Sequence, residues 1–208
     1  MVARLPTPPS RRRGPDHGAA TTTGDRVLDT LDDLLDAGDT PTIAELANAV
    51  GTTEEVLLDR FGSGDALAEE ALARVMARVV PYLEEVPPEG PLELRVEHFV
   101  EVRTRLCEQL GPLRRAGHVY APHSDPVRRQ VRAGRRHFSD QLQRTFAPEL
   151  ATLSAEERRG LLAALDTALS WDSWEHLRTF HRLGARRARR VVTRMVLAVL
   201  RDALHEAR

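Results

Sequence analysis

The chain has 208 residues, 41% of them hydrophobic and 29% charged, which suits a water-soluble protein of one large or two small domains. No apolar run approaches the ~18 residues that a membrane helix needs, and no apolar segment follows the N-terminal arginines, so neither a membrane span nor a secretory signal is expected. The single cysteine, Cys107, excludes an internal disulfide and a multi-cysteine zinc site. These features favour the cytoplasm.

The net charge of −1 conceals an uneven distribution along the chain. Residues 1–23 carry four arginines and one aspartate, whereas residues 24–73 carry thirteen acidic residues against only Arg26 and Arg60. From His98 onward, twenty-one arginines outnumber twelve acidic residues. The N-terminal third therefore repels polyanions unless another part of the protein compensates.

The first 23 residues contain four prolines and an arginine triplet without hydrophobic periodicity, which predicts a disordered basic arm. Two interpretations stay open. The arm is a solvated tail, or Arg11, Arg12 and Arg13 reach into the minor groove of DNA beside a DNA-reading domain.

The first predicted helix spans residues 24–37 and is capped by Thr23. Its inner stripe consists of aliphatic residues: Val27, Leu28, Leu31, Leu34 and Leu35. Its outer face carries aspartates, which are expected to be solvated: Asp29, Asp32, Asp33 and Asp36. No His or Cys lies nearby in sequence, so a metal site is not expected there.

Two short helices are predicted between residues 42 and 61. Thr42 and Glu45 form a T-x-x-E capping box, and Gly51 can end that helix in the left-handed conformation. Thr53 caps the next helix, whose predicted buried face is Val56, Leu57 and Phe61. Two short helices joined by a glycine-containing turn form a helix-turn-helix.

The predicted helices that follow are longer. One starts at Ser63 and continues through Val79, and four prolines then interrupt the chain. The next spans residues 92–110 and ends at Gly111-Pro112, with a short helix at 113–120 behind it. Asp125 caps a helix that starts with Pro126 and reaches Phe146. Its outer arginines form either a plain surface patch or a contact for an anionic ligand or partner: Arg128, Arg129, Arg132, Arg135 and Arg136.

The last two predicted helices carry the longest apolar stripes. A second capping box, Ser154 with Glu157, starts a helix that is expected to run without a break to about Leu183. Gly184 separates it from the final helix, whose stripe is Ala188, Val191, Val192, Met195, Val196, Val199 and Leu200. Four arginines at the start of the final helix are expected to bridge to carboxylates elsewhere: Arg186, Arg187, Arg189 and Arg190. Each of the two helices has more apolar face than one neighbour can cover.

The N-terminal pattern resembles the DNA-binding domain of TetR-type transcriptional regulators. The residues that carry the resemblance are the apolar helix at 27–37, I-A-E-L-A at 43–47, Gly51, Thr53, Leu57, Phe61-Gly62-Ser63 and Ala66-Leu67. The segment 165–178 resembles the last-but-one helix of that family. The resemblance implies an all-α fold with an N-terminal three-helix helix-turn-helix domain (24–73) and a C-terminal helical effector-binding and dimerisation domain (74–208).

The same resemblance implies a homodimer through the last two helices, a two-fold symmetric double-stranded DNA operator, and release of that operator, as by a repressor, when a small apolar or amphipathic effector binds. The expected DNA contacts are Thr42, Thr52, Thr53, Glu54, Val56, Leu58, Asp59 and Arg60, together with Arg11, Arg12 and Arg13. The candidate effector-lining residues are Phe99, Leu106, Cys107, Tyr120, Phe138, Trp171 and Trp174. For each of these seven, an ordinary core position is the alternative.

One departure from the family pattern keeps a second interpretation open. Family members carry small, basic, Tyr or His residues on the exposed face of the second short helix, where this chain has Glu54, Glu55, Leu58 and Asp59. Because phosphate neutralisation supplies most non-specific DNA affinity, the alternative is a dimeric ligand-binding or protein-interaction module that no longer reads DNA. The sequence has no G-x-S-x-G, H-E-x-x-H, P-loop or G-x-G-x-x-G motif, so neither an enzyme nor a cofactor is expected.

Overall fold

The computed structural model describes residues 23–206, and within that range the chain is all-helical with no β-strand, as predicted. The first helices are α1 (Thr23–Ala37), α2 (Ile43–Val50), α3 (Glu54–Phe61) and α4 (Gly64–Val79), followed by a 3₁₀ turn (Val80–Tyr82). The remaining helices are α5 (Leu92–Tyr120), α6 (Asp125–Thr145), α7 (Ala147–Leu150), α8 (Ala155–Ala168), α9 (Trp171–Glu175), which a π-helical turn (His176–Phe180) continues, and α10 (Ala185–Glu206). The arginines of the predicted basic arm lie outside the described residues. No helix between residues 23 and 206 has the length and apolar character to cross a membrane.

The short helices begin and end where local side-chain chemistry predicts. The Glu45 backbone N–H donates to the Thr42 hydroxyl (3.2 Å) while the Glu45 carboxylate accepts from the Thr42 N–H (2.8 Å), a complete capping box. Gly51 ends α2 with φ 79°, a left-handed conformation that favours glycine. Thr53 and Ser63 cap α3 and α4 by accepting a hydrogen bond from the N–H of Val56 and of Ala66, without the return bond of a capping box. The starts of α2, α3 and α4 are therefore set by local side-chain contacts.

The head, residues 23–79, has its own core, built from the inner faces of α1 to α4. Its buried side chains include Val27, Leu28, Leu31, Leu35, Leu46, Ala47, Leu57, Phe61 and Leu67. Ala116 of α5 is buried in the same core, and Leu113 and Tyr120 pack against it. The end of α5 thus belongs structurally to the head.

The predicted helix end at Gly111-Pro112 is wrong, because α5 continues through Pro112 to Tyr120. A proline inside a helix removes one backbone hydrogen bond and costs roughly 3 kcal/mol. The turns beyond Pro112 bury Ala116 and pack Leu113 and Tyr120 against the head, and burial of such side chains offsets a cost of that size.

The body, residues 92–206, is held together by a second core between α5, α6, α8 and α10. Its fully buried side chains include Phe99, Val100, Leu142, Phe146, Leu165, Leu169, Val192, Val196 and Leu200. A buried ion pair between Arg95 of α5 and Glu149 of α7 closes one end of this core. The body therefore has an extensive apolar interior with few charged groups in it.

The single helix predicted over residues 155–183 is also wrong. Helix α8 ends at Ala168, and Ser170 starts α9 by accepting a hydrogen bond from the Ser173 N–H (3.0 Å). The Ser173 hydroxyl in turn donates to the Thr167 carbonyl oxygen (2.7 Å). Two serines thus satisfy both ends of the break, as capping side chains do.

Two smaller expectations also fail. The N-cap of α6 is Ser124 rather than Asp125, and Pro126 occupies the second position; the Ser124 hydroxyl donates to Asp65 of the head (2.8 Å) instead of capping the helix.

The aspartates of α1 are not merely solvated, because arginines of α4 pair with them. Arg74 contacts Asp25 and Asp29, and Arg78 contacts Asp32 and Asp36. These pairs join α1 to α4 along the outside of the head.

Candidate functional site

The outer surface of α3 is the candidate nucleic-acid interface. Leu57 and Phe61 are buried and anchor the helix, while Thr53 and Val56 are exposed. Val56 was predicted to be buried and that is wrong, since 48% of its surface is exposed. Its exposure leaves it available as a contact at the N-terminal end of α3, together with Thr53 and Glu54.

The other predicted contacts surround this helix. Thr42 is exposed at the start of α2, and Thr52 and Leu58 are half-buried. Arg60 is exposed but turned toward α1. Its guanidinium lies 5.0 Å from the Phe61 ring centroid, and it lies so close to Gly24 that a Cβ atom added to Gly24 would be 2.6 Å from the Arg60 Nη2. Arg60, the only basic residue of α3, therefore lies against the start of α1.

The remaining face of α3 is acidic. Glu54, Glu55 and Asp59 are exposed, and none of them forms an ion pair within residues 23–206. A duplex approaching this face meets three carboxylates before any positive charge on the same helix. Such carboxylates can accept hydrogen bonds from cytosine amino groups, but they weaken the attraction for phosphates.

Head and body meet at the C-terminal end of α5 and at the first turns of α6. The Tyr120 hydroxyl donates to the Pro41 carbonyl oxygen (2.8 Å), directly before the Thr42 cap of α2. Desolvation by burial raises the pKa of Tyr120 to about 12. Arg129 of α6 pairs with Glu69 of α4 at 3.0 Å. Tyr120 thus lies at the boundary between head and body, apart from the other residues expected to line an effector site.

Most of the other expected lining residues do meet in the core of the body. Phe99, Cys107, Phe138 and Trp174 are buried in one cluster, with Trp171 packed against it; Leu106 is buried but lies outside that cluster. The ring centroids of Phe99 and Phe138 are 6.0 Å apart. Burial raises the pKa of the Cys107 thiol, so the neutral form is favoured. This cluster is the candidate effector site.

A charged residue that the sequence interpretation missed lies in the same cluster. The Arg103 guanidinium stacks 3.7 Å from the Phe138 ring centroid, and its Nε donates to the Leu169 carbonyl oxygen at the break after α8 (3.1 Å). No carboxylate within the described chain pairs with it. Burial lowers the pKa of Arg103. The spacing of Phe99, Arg103 and Cys107, four residues apart on one helical face, is the signal that could have found it.

The π-helical turn is fixed to α5 by a polar network. The Trp174 Nε1–H donates to a Glu108 carboxylate oxygen (2.7 Å), and the Arg178 Nε donates to the same oxygen (2.9 Å). Arg178 also donates to the Leu183 carbonyl oxygen (2.6 Å). Trp174 therefore presents its ring to the core of the body while its polar edge is satisfied.

The apolar stripe of α10 is divided between two sides of the helix. Ala188, Val192, Val196 and Leu200 are buried within the chain, whereas Val191 and Val199 are half-buried and Met195 is 39% exposed. Phe180, on the preceding π-helical turn, is 73% exposed. Arg189 pairs with Glu101 of α5 (3.3 Å), so at least one of the four arginines bridges within the chain.

Comparisons of the chain with protein-family models, with curated proteins and with solved structures return no match. Within residues 23–206, no group of three or more His, Cys, Asp or Glu side chains is arranged to hold a metal ion.

Proposed function

We propose that the chain is a homodimeric, TetR-like transcriptional regulator that binds a two-fold symmetric DNA operator and responds to a small effector bound in the body. The supporting observation is the helix-turn-helix itself: α3 is anchored by Leu57 and Phe61 and exposes Thr53, Glu54 and Val56 at its N-terminal end. In this motif, those N-terminal positions of the second helix meet base edges in the major groove.

The apolar strip on α10 supports a second copy of the chain as partner. Val191, Met195 and Val199 follow one side of the helix at spacings of four residues, next to the side buried within the chain. Pairing these strips across a two-fold axis covers them and places two heads side by side. Two heads are what a palindromic operator requires.

The acidic face of α3 requires compensation, which we assign to the arm that contains Arg11, Arg12 and Arg13. Phosphate contacts from such an arm hold the head on DNA while Asp59 accepts from cytosine amino groups. Removing the arm then abolishes binding, and unchanged affinity without it contradicts this assignment.

Fluorescence anisotropy across a salt series, with the full chain and the DNA flanking its own gene, tests the regulator. Saturable, sequence-selective binding with a steep negative salt slope is expected. Glu54→Gln/Glu55→Gln should bind several-fold more tightly, since two carboxylates no longer oppose the phosphates. The matched control is Glu156→Gln, an exposed carboxylate at the start of α8, which should leave binding unchanged.

The second candidate is a dimeric module that binds a ligand or a basic protein partner rather than DNA. The observation that favours it is the face of Glu54, Glu55 and Asp59, unpaired within residues 23–206 while Arg60 turns to α1. Absence of duplex binding at low salt by a folded dimer, with no gain from Glu54→Gln/Glu55→Gln, supports this module and refutes the regulator.

A further inference from the structure

An open groove lies between α4 of the head and α6 of the body. Its volume is about 450 Å³, which falls within the roughly 300–1,000 Å³ of small-molecule sites. Leu72, Pro126 and Ala133 give it an apolar lining; Pro126 is buried, and the other two are half-buried. These three residues belong to neither of the two hydrophobic cores. The groove is therefore a feature of the outer surface, separate from the aromatic cluster of the body.

Three exposed arginines of α6 line the same groove. Arg129, Arg132 and Arg136 lie three and four residues apart, so their side chains share one face of the helix. Glu69 of α4 pairs with Arg129 at 3.0 Å and balances its charge. Arg132 and Arg136 form no ion pair and no side-chain hydrogen bond within residues 23–206. Like charges four residues apart repel each other, so an anion bound between these two arginines relieves that repulsion.

The other arginines of α6 show how specific this combination is. Two of them pair with carboxylates: Arg128 with Asp125, and Arg144 with Glu85. Arg135 is exposed and has no ion-pair partner in the described part of the chain, but it does not line the groove. Among the arginines of α6, only Arg132 and Arg136 both lack a partner and line the concave surface.

The charge and geometry of these two side chains favour a phosphate group. A guanidinium fork matches phosphate oxygens with two parallel N–H donors. A phosphomonoester carries a charge of about −1.5 to −2 near pH 7 and has three acceptor oxygens, enough to balance two guanidiniums, whereas a carboxylate carries one charge. The apolar lining beside the arginines favours an ester with a hydrophobic body over inorganic phosphate.

We propose that the groove between α4 and α6 binds a soluble phosphomonoester. Arg132 and Arg136 hold its phosphate, and its apolar body packs against Leu72 and Ala133. The head supplies one wall and the body supplies the other, so an occupied groove links the two parts of the molecule. The site lies apart from the candidate effector site and its occupation requires no DNA, so the inference does not rest on the proposed function.

Isothermal titration calorimetry on the full, DNA-free chain in phosphate-free buffer tests the proposal. The probes are naphthyl phosphate, inorganic phosphate, naphthyl sulfate and neutral naphthol. Naphthyl phosphate should bind at one site per chain and several-fold more tightly than inorganic phosphate, because only the ester covers the apolar lining. Naphthyl sulfate, which has one charge fewer, should bind more weakly than the phosphate ester, and naphthol should show no saturable binding.

The arginine variants test which side chains hold the phosphate. Arg132→Gln and Arg136→Gln should each weaken the binding of naphthyl phosphate roughly tenfold or more, which is the range for a lost charge-assisted hydrogen bond. Their thermal stability should stay close to that of wild type, since both side chains are exposed and unpaired within residues 23–206. Arg135→Gln is the matched control on the same helix and should bind nearly as wild type does.

A glutamate variant should change the affinity in the opposite direction. Glu69→Gln removes the carboxylate that pairs with Arg129, so this third guanidinium becomes available to the phosphate and binding should tighten several-fold. The control is Glu70→Gln, the next residue, which is exposed, does not line the groove and forms no ion pair within residues 23–206. General unfolding cannot produce a gain in affinity from one variant and a loss from another.

Four results would overturn the proposal. They are no saturable binding of naphthyl phosphate at millimolar concentration, equal affinity for naphthyl phosphate and naphthol, an equal loss in Arg135→Gln, or Arg132-dependent binding to phosphatidic acid vesicles without binding of the soluble ester. An equal loss in Arg135→Gln would indicate a general basic surface of the kind that attracts nucleic acid. Because no DNA is present, failure here leaves the regulator intact, and failure of operator binding leaves this site intact.

Discussion

The buried ion pair between Arg95 and Glu149 gives the sharpest stability prediction. Only 7% and 10% of the two side chains are exposed. Arg95 also donates to the backbone carbonyl oxygens of Thr145 (2.8 Å) and Gly90 (3.1 Å). Glu149→Gln removes the negative charge and leaves the guanidinium buried with two neutral acceptors. Breaking one partner of such a pair costs roughly 3–5 kcal/mol.

The double variant Arg95→Met/Glu149→Met separates the value of the pair from the cost of an orphaned charge. Replacing both partners by apolar side chains is often neutral or stabilising, so this variant should recover most of the loss. The free energy of unfolding is measured by urea titration with far-ultraviolet circular dichroism at one protein concentration. An exposed pair, Arg144 with Glu85, is the control, and Glu85→Gln should cost less than about 1 kcal/mol. If Glu149→Gln costs no more than Glu85→Gln, the reasoning is refuted.

Three further predictions concern the joint between head and body, the cap of α2 and the dimer. Burial raises the pKa of Tyr120 to about 12 against an ordinary 10.0, so the contribution of its neutral side chain to folding stability is complete below pH 10 and is lost as the pH rises toward about 12. That contribution is absent in Tyr120→Phe, and urea titrations across this pH range check it. Hydrogen bonds from Thr42 lower the pKa of Glu45, so Glu45→Gln should destabilise the head near neutral pH. The difference in melting temperature between wild type and variant should vanish in acid below that lowered pKa, and thermal melts at both pH values check it. Met195→Glu should convert the proposed dimer to a monomer in analytical ultracentrifugation while helix content is retained, and an unchanged dimer would exclude this side of α10 as the interface.

Helix starts were predictable because capping is a local interaction between residues three apart. Thr42 with Glu45 and Ser154 with Glu157 form complete capping boxes, and Gly51 takes the left-handed conformation expected of it. None of these outcomes depends on distant parts of the chain. The starts and ends of α2 and α3 could therefore be predicted from sequence to within a residue or two.

Helix interruptions were less predictable because their outcome depends on partners far away in sequence. The cost of Pro112 is offset by packing of Leu113, Ala116 and Tyr120 against a core formed by residues 27–67. The break after Ala168 depends on two serine hydroxyls and on the Arg103 Nε, 66 residues earlier, which donates a hydrogen bond to the Leu169 carbonyl oxygen. Hydrophobic periodicity alone cannot weigh such contacts.

The ion pairs that compensate the acidic side chains could not be predicted from the sequence either. The aspartates of α1 looked uncompensated because Arg74 and Arg78 lie just beyond the helix-turn-helix segment. The candidate effector site was predicted from its aromatic and thiol side chains, whereas Arg103, whose guanidinium stacks on Phe138, was missed. A charged residue on an apolar helical face shows its importance only when its surroundings are known.

The continuity of α5 gives the proposed regulator a physical route from effector to DNA. Cys107 lies in the core of the body, and Ala116 lies in the core of the head. From Arg103 to Tyr120 the helix rises roughly 25 Å at about 1.5 Å per residue, as one unbroken element. Tyr120 contacts Pro41, directly before the cap of α2. A ligand that displaces α5 near Cys107 therefore moves a residue that belongs to the head, and in the proposed dimer this changes the spacing of the two α3 helices. Tyr120→Phe should weaken that coupling while leaving effector binding in the body unchanged.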